Sequence, residues 1–186
     1  MSLAIMAGCS GSARTAQPDG TLPAMRWDHR PESKIWTANT MAALNGHGAI
    51  LSELEPSDID EWCPGYRDAG PLQRKAFWAG LLSALAKHES TWNPKAVGGG
   101  GLWVGLVQID PRTARGYGCA AQSSAALKDG SANLSCAVRI AARQVPKRGT
   151  ISGGMRDWGP FHHRDKRAEM SAWTRSQAYC AKPART

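Results

Sequence analysis

From Trp36 onward, apolar positions recur at helical spacing more than at strand spacing. Trp36, Met41, Leu44, Ile50, Leu51 and Leu54 predict one or two helical turns on each side of Gly46 and Gly48. Ser57 to Trp62 reads as a short helix stopped by Pro64. Gly70-Pro71 opens the strongest helix, with proline in its first turn, and it runs to about Glu89. Ser131 to Val145 is a further helix, broken by Pro146, and Arg164 to Tyr179 is the last. Leu102 to Ile109 is the best strand candidate, although it contains Gly105. No internal repeat is present. The expected class is all-α or α-dominated, with at most a small β segment.

Ahead of Trp36 the pattern vanishes. Gly11 to Pro31 is rich in Gly, Ser, Ala, Pro and charge, and reads as a flexible tether. The expected organisation is therefore a signal remnant and tether over 1–35 and one domain over 36–186. A chain of 186 residues suits one domain with a tail, and 42% hydrophobic residues are enough for a core. No run approaches the ~18 apolar residues of a membrane-spanning helix. The net charge is +8. That favours an anionic partner, but the basic residues are scattered where a nucleic-acid binder usually concentrates them. The densest group, Arg164, Lys166 and Arg167, is interrupted by Asp165 and followed by Glu169, and reads as a solvated helix face.

The five cysteines are an odd count. Met6-Ala7-Gly8-Cys9 resembles the end of a bacterial lipoprotein signal, so Cys9 is a candidate lipidation site and a route to membrane attachment. Only eight residues precede it and none is Lys or Arg, so such a signal would be truncated. Cys63, Cys119, Cys136 and Cys180 remain, with no spacing suited to structural zinc. Export would let them form two disulfides. Of three pairings, Cys119 with Cys136 is favoured because both flank one loop that ends in a predicted helix, which leaves Cys63 with Cys180. The alternative is four reduced thiols in a cytosolic protein.

Phe77, Leu81 and Leu85 are spaced by four, and Glu89 is the next member of the series. Glu89 therefore falls on or at the rim of an apolar stripe. Desolvation there raises a carboxyl pKa, and the negative end of the helix dipole acts in the same direction. A general acid needs that property. The competing reading is a frayed last turn pointing at water. His88 diverges from Glu89 by ~100° around the helix and is not placed as its partner base.

The segment after Glu89 adds a second signal. Glu89-Ser90, Asn93-Pro94 and Gly105-Leu106-Val107-Gln108-Ile109 stand in order, with Thr113-Ala114 and Asn133-Leu134 beyond them as weaker matches. Over roughly residues 72–145 the chain resembles the soluble lytic transglycosylase family. The resemblance implies a lysozyme-like, mostly helical fold and cleavage of the MurNAc–GlcNAc β-1,4 bond of peptidoglycan. It implies that Glu89 protonates the leaving oxygen, then takes the proton of the MurNAc 6-hydroxyl as that oxygen closes on C1 to give the 1,6-anhydro sugar. No water and no second carboxylate are needed, unlike in paired-carboxylate glycosidases. No cofactor and no metal are implied.

Other roles are carried over residue by residue. Ser90 and Asn93 would fix the turn after the helix, and Gln108 would hydrogen-bond an N-acetyl sugar. Trp103, Tyr117 and Trp92 are candidate platforms for sugar faces, with the core as the alternative place for each. Asp110 reads as the N-cap of a short helix opened by Pro111. The chain departs from the family pattern at Gly98, where a serine is usual, and in the length of the Gly98 to Gly101 run. The late Tyr-Asn-Ala-Gly-like segment is missing, and Arg156-Asp157-Trp158-Gly159-Pro160 occupies its place, with Trp158 as the stand-in substrate contact.

A hydrolytic muramidase on the same fold is the nearest alternative function, and a non-catalytic peptidoglycan-binding envelope module is the next. The expected partner is peptidoglycan, not nucleic acid. The expected location is the periplasm or cell envelope, as a monomer, and outer-membrane attachment through Cys9 is part of that expectation.

Overall fold

The computed structural model describes residues 22–183. Cys9 and the first part of the expected tether lie outside them. The described elements are α1 (Ser33–Asn45), α2 (Ala49–Glu53), α3 (Ile59–Trp62), α4 (Pro71–Ser90), β1 (Val97–Gly98), β2 (Trp103–Val104), α5 (Pro111–Gly116), α6 (Ser124–Leu127), α7 (Gly130–Arg148), α8 (Ile151–Gly154) and α9 (Arg164–Arg175). The class is helix-dominated, as expected, with one two-stranded sheet among the described residues.

Helix α4 is the axis of the fold. It starts at Gly70-Pro71, and every residue from Ala76 to Ala86 is buried. Burial on all sides differs from the one-sided stripe that the spacing of Phe77, Leu81 and Leu85 predicts. The reason is size. Ala79, Gly80, Ser83 and Ala84 are small enough for other elements to close on the remaining faces. A Cβ on Gly80 would lie 2.2 Å from the Tyr179 hydroxyl. Helices α1, α2 and α9 pack around α4, and α1 also packs on α7.

The domain begins earlier than Trp36. Met25 and Trp27 are buried, and the Trp27 Nε1–H donates to Thr37 Oγ1 at 2.9 Å. The Trp27 ring meets Trp36 edge-on at 5.9 Å. The stretch near residues 25–30 is therefore part of the packed domain, and the tether reading does not hold for it. One aromatic anchored by one hydrogen bond is enough to dock a polar segment that shows no periodicity.

Three other expectations change. Pro146 does not end α7, which continues to Arg148 and stops at Gly149, where φ is 71° and the N–H closes on the Val145 carbonyl. Pro146 lies on the exposed side, where water can take the carbonyl it leaves unpaired. The last helix ends at Arg175, and the chain then turns through extended Gln177 into a short 3₁₀ turn, Ala178–Cys180. The Leu102 to Ile109 strand is also much shorter. Val97 pairs with Val104 and Gly98 with Trp103, antiparallel, and then Gly105 (φ 86°) and Gln108 (φ 47°) fold the chain back so that Val104 bridges Ile109. Two disulfides close the structure, Cys63–Cys180 and Cys119–Cys136.

Candidate active site

The site is built on the end of α4. Glu89 is its penultimate residue. Thr91 (φ 51°) and Trp92 (φ 56°) then stand consecutively in the left-handed region. Two left-handed non-glycine residues in a row are costly and need compensation. The Thr91 N–H donates to the Lys87 carbonyl at 3.1 Å and the Trp92 N–H to the Ala86 carbonyl at 3.2 Å, which caps the helix. The Trp92 Nε1–H reaches back to the Ser83 carbonyl at 2.9 Å, and His29 meets its ring edge-on at 4.6 Å. Trp92 thus holds the turn, with its indole N–H occupied. Asn93 Oδ1 accepts from the Lys95 N–H at 2.9 Å and shapes the next turn.

Glu89 is half-buried, and its Oε1 is buried with no hydrogen-bond partner. Desolvation by burial pushes its pKa from 4.5 to about 7, and the ammonium of Lys166 on α9 opposes that shift. The carboxyl can therefore hold or release a proton near neutral pH. Its neighbour Ser90 donates to the Leu106 carbonyl at 2.8 Å, which joins the helix end to the Gly105 to Ile109 segment. His88 turns away and bonds Glu169.

That segment is fixed from three directions. Buried Asn133 on α7 accepts from the Val107 N–H at 3.0 Å and donates to the Val104 and Leu127 carbonyls at 2.9 and 3.2 Å. The Trp158 Nε1–H donates to the Val107 carbonyl at 2.9 Å. Trp158 is only 3% exposed, so it braces the loop from within and offers no ring face to a sugar. This corrects its expected place as a substrate contact. Asn133 is the converse case. In the sequence it is only part of a weak match, yet it satisfies three buried backbone groups. A polar residue among the apolar positions of α7 is the signal that could have found it.

Gln108 donates through Nε2 to the Gly105 carbonyl at 2.9 Å and to the Ala96 carbonyl at 3.3 Å, so both amide protons serve the hairpin. Its Oε1 lies 2.6 Å from where a Cβ on Gly98 would be. Glycine at that position lets the Gln108 carboxamide close on the hairpin, which accounts for the departure from serine. A Cβ on Gly99 would likewise lie 2.5 Å from the Trp103 ring. Trp103 rests on this glycine backbone and is 50% exposed. The half-buried Tyr117 donates to Asp157 Oδ2 at 3.1 Å and accepts from Gln144 Nε2. Burial raises its pKa. Asp110 caps α5 by accepting from the Arg112 N–H at 2.7 Å, and hydrogen bonds from Arg112 hold its carboxyl below the usual range.

Ser90, next to Glu89 in the chain, is thus bonded directly to the Gly105 to Ile109 loop, and Gln108 and Trp103 belong to the adjoining hairpin. Among the described residues no group of three or more His, Cys, Asp or Glu could hold a metal ion. Among them, no helix is long and apolar enough to cross a membrane.

Comparison with known proteins adds to this geometry. Residues 70–154 match the family described as the transglycosylase SLT domain. Three solved structures of Bd0314 DslA are similar. Its wild-type form 2 superposes with a TM-score of 0.76 at 27% identity, covering 86% of this chain and 98% of that one. One glutamate-to-glutamine mutant gives 0.77 at 27% identity over 86% and 98%. Another gives 0.78 at 26% identity over 87% and 100%. No curated protein sequence matches the chain.

Proposed function

We propose that this chain, whose residues 70–154 match the transglycosylase SLT domain family, cleaves the MurNAc–GlcNAc β-1,4 bond of peptidoglycan with Glu89 as the single acid and base. One observation carries the reading: a half-buried carboxyl at the end of a buried helix, with an unpartnered Oε1 and a pKa of about 7. Such a group is protonated often enough to act as an acid and ionises readily enough to act as a base.

In the first step the Glu89 proton goes to the glycosidic oxygen and the C1–O bond breaks, leaving a carboxylate and an electron-poor C1. In the second, the carboxylate takes the proton of the MurNAc 6-hydroxyl while O6 bonds to C1. The products are a 1,6-anhydro end and a free GlcNAc hydroxyl, and Glu89 regains its proton. Lys166 favours the carboxylate midway through this cycle.

Trp103, half exposed beside the site, suits stacking on a sugar face. Gln108 and Tyr117 are proposed as further contacts, and Ser90 and Asn93 as the residues that hold the turn. The same reading puts the enzyme in the cell envelope. Two disulfides suit an oxidising compartment, and a charge of +8 suits an anionic wall. Lipid attachment at Cys9 belongs to this proposal.

Digestion of sacculi by wild type and by Glu89→Gln, with mass spectrometry of the muropeptides, tests it. Anhydro-MurNAc ends from wild type alone are expected. Reducing MurNAc ends would replace the transglycosylase reading with a hydrolytic muramidase. Equal release by both proteins would remove Glu89 from the mechanism.

A further inference from the structure

An acid that later acts as a base must occupy one place in both protonation states. Glu89 does not secure that place through its own carboxyl, because Oε1 has no partner. Its position is inherited from the last turn of α4. Ser90 holds that turn on one side through Leu106.

On the other side stands Glu169 of α9, with an unusual set of partners on one carboxylate. Lys87 Nζ donates to Oε1 at 2.7 Å, and His88 Nε2 lies 2.7 Å from Oε2. Arg26 Nη1 donates to Oε2 at 2.8 Å, and Nη2 donates to Oε1. We propose that Glu169 is a positioning residue for Glu89, gathering Lys87, His88 and Arg26 on one carboxylate and so pinning the last turn of α4 to α9 and to the N-terminal segment.

The geometry supports this in three ways. Lys87 and His88 immediately precede Glu89, and adjacent side chains leave a helix about 100° apart. A group that grips both opposes rotation of the turn as well as fraying. Arg26 extends the grip, since its backbone N–H donates to Ser83 Oγ of α4 at 3.0 Å and its guanidinium lies 5.8 Å from the Trp173 ring of α9. The cluster is also partly shielded. The side chains of Arg26 and His88 are 14% and 15% exposed, so solvent screens these contacts less than it would an open surface pair.

Glu169 itself also keeps its charge while Glu89 changes its own. Hydrogen bonds from Arg26 first, then from Lys87 and His88, hold the Glu169 carboxyl well below the usual carboxylate range. Glu169 therefore stays ionised across the pH range in which Glu89 titrates, so its carboxylate can hold Arg26 and Lys87 before and after proton transfer. Arg26 and Glu169 both lie outside the matched residues 70–154, so this support comes from parts of the chain that the family segment does not supply.

The positioning role rests on Glu89 being the catalytic acid. The test compares Glu169→Gln, Arg26→Met, Arg26→Lys and Glu89→Gln on a soluble peptidoglycan oligosaccharide, below the melting transition of each. For Glu169→Gln, kcat is expected to fall about tenfold with KM within about twofold, as when a reacting group is displaced and binding is kept. The pH profile is a second readout. The charged and titratable side chains on the packed elements are Lys87 and His88 toward the end of α4, Arg164, Asp165, Lys166, Arg167, Glu169 and Arg175 of α9, and Arg26 of the N-terminal segment. Removing the Glu169 charge leaves the Arg26 and Lys87 charges unopposed, so the Glu89 limb should move to lower pH by about half a unit or more. Arg26→Lys should recover most of the kcat that Arg26→Met loses. If Glu169→Gln does not fold, the two Arg26 variants carry the test alone.

Inactive Glu89→Gln beside folded Glu169→Gln and Arg26→Met proteins with wild-type kcat and pH profile would overturn the positioning role. Full activity in Glu89→Gln would instead overturn the proposed function.

Discussion

Ser90 Oγ donates to the main-chain carbonyl of Leu106 at 2.8 Å, and this one bond joins the end of α4 to the loop that carries Gln108. Two segments separated by the glycine hairpin act as one unit because of it. Ser90→Ala leaves the Leu106 carbonyl without that donor in a buried setting. A loss of about 1–2 kcal/mol is expected in urea unfolding. Muropeptide release should fall more than that loss explains, because the turn beside Glu89 loosens.

Glu89 itself makes the protein less stable as pH rises. Its folded pKa of about 7 exceeds the ordinary 4.5, so the unfolded chain loses this proton first. The penalty is absent below 4.5, grows between 4.5 and 7, and is complete above 7. Glu89→Gln should therefore be more stable than wild type at pH 8 by up to about 3 kcal/mol, with little difference at pH 4. Thermal melts of both proteins across that range check the sign. A difference that does not grow with pH would show that burial does not shift this carboxyl.

Asn133→Ala should be among the most damaging single changes in the fold. It strips the partner from the Val107 N–H and a donor from the Leu127 carbonyl, and leaves the Val104 carbonyl only the Ile109 N–H, with no exposure at the site to admit water. A loss of at least about 3 kcal/mol is expected. Asn133→Asp should recover only the bond to the Val107 N–H. Denaturant midpoints at fixed slope separate the two variants.

The two disulfides should contribute unequally. Cys63–Cys180 spans 117 residues and Cys119–Cys136 spans 17. Loop-closure entropy gives roughly 5 kcal/mol for the first and roughly 3 for the second. Paired Cys→Ala variants compared by guanidinium unfolding measure both. An equal loss would show that the unfolded chain already holds residues 63 and 180 close together.

The parts of this structure that local chemistry dictates were legible. Pro71 after Gly70 marks where α4 begins, and the four-residue series through Phe77, Leu81 and Leu85 aims at Glu89. Long-range contacts were not. The indole of Trp158 finds a carbonyl 51 residues away, and nothing near Gly159-Pro160 announces that. The apolar run from Leu102 to Ile109 reads as a strand until the positive φ at Gly105 and Gln108 is known. Trp27 sits in a polar stretch and is buried by partners on α1, so periodicity passes over it. Small residues in α4 hide its burial from any scale that equates core with large side chains.

The bridge between Cys63 and Cys180 has a topological consequence. It turns the intervening backbone into a covalent ring that contains Glu89, Asn133 and Glu169. A single peptide-bond cut anywhere between Pro64 and Tyr179 opens that ring without separating it into two molecules. Nicked protein should therefore migrate as one piece until a reductant is added.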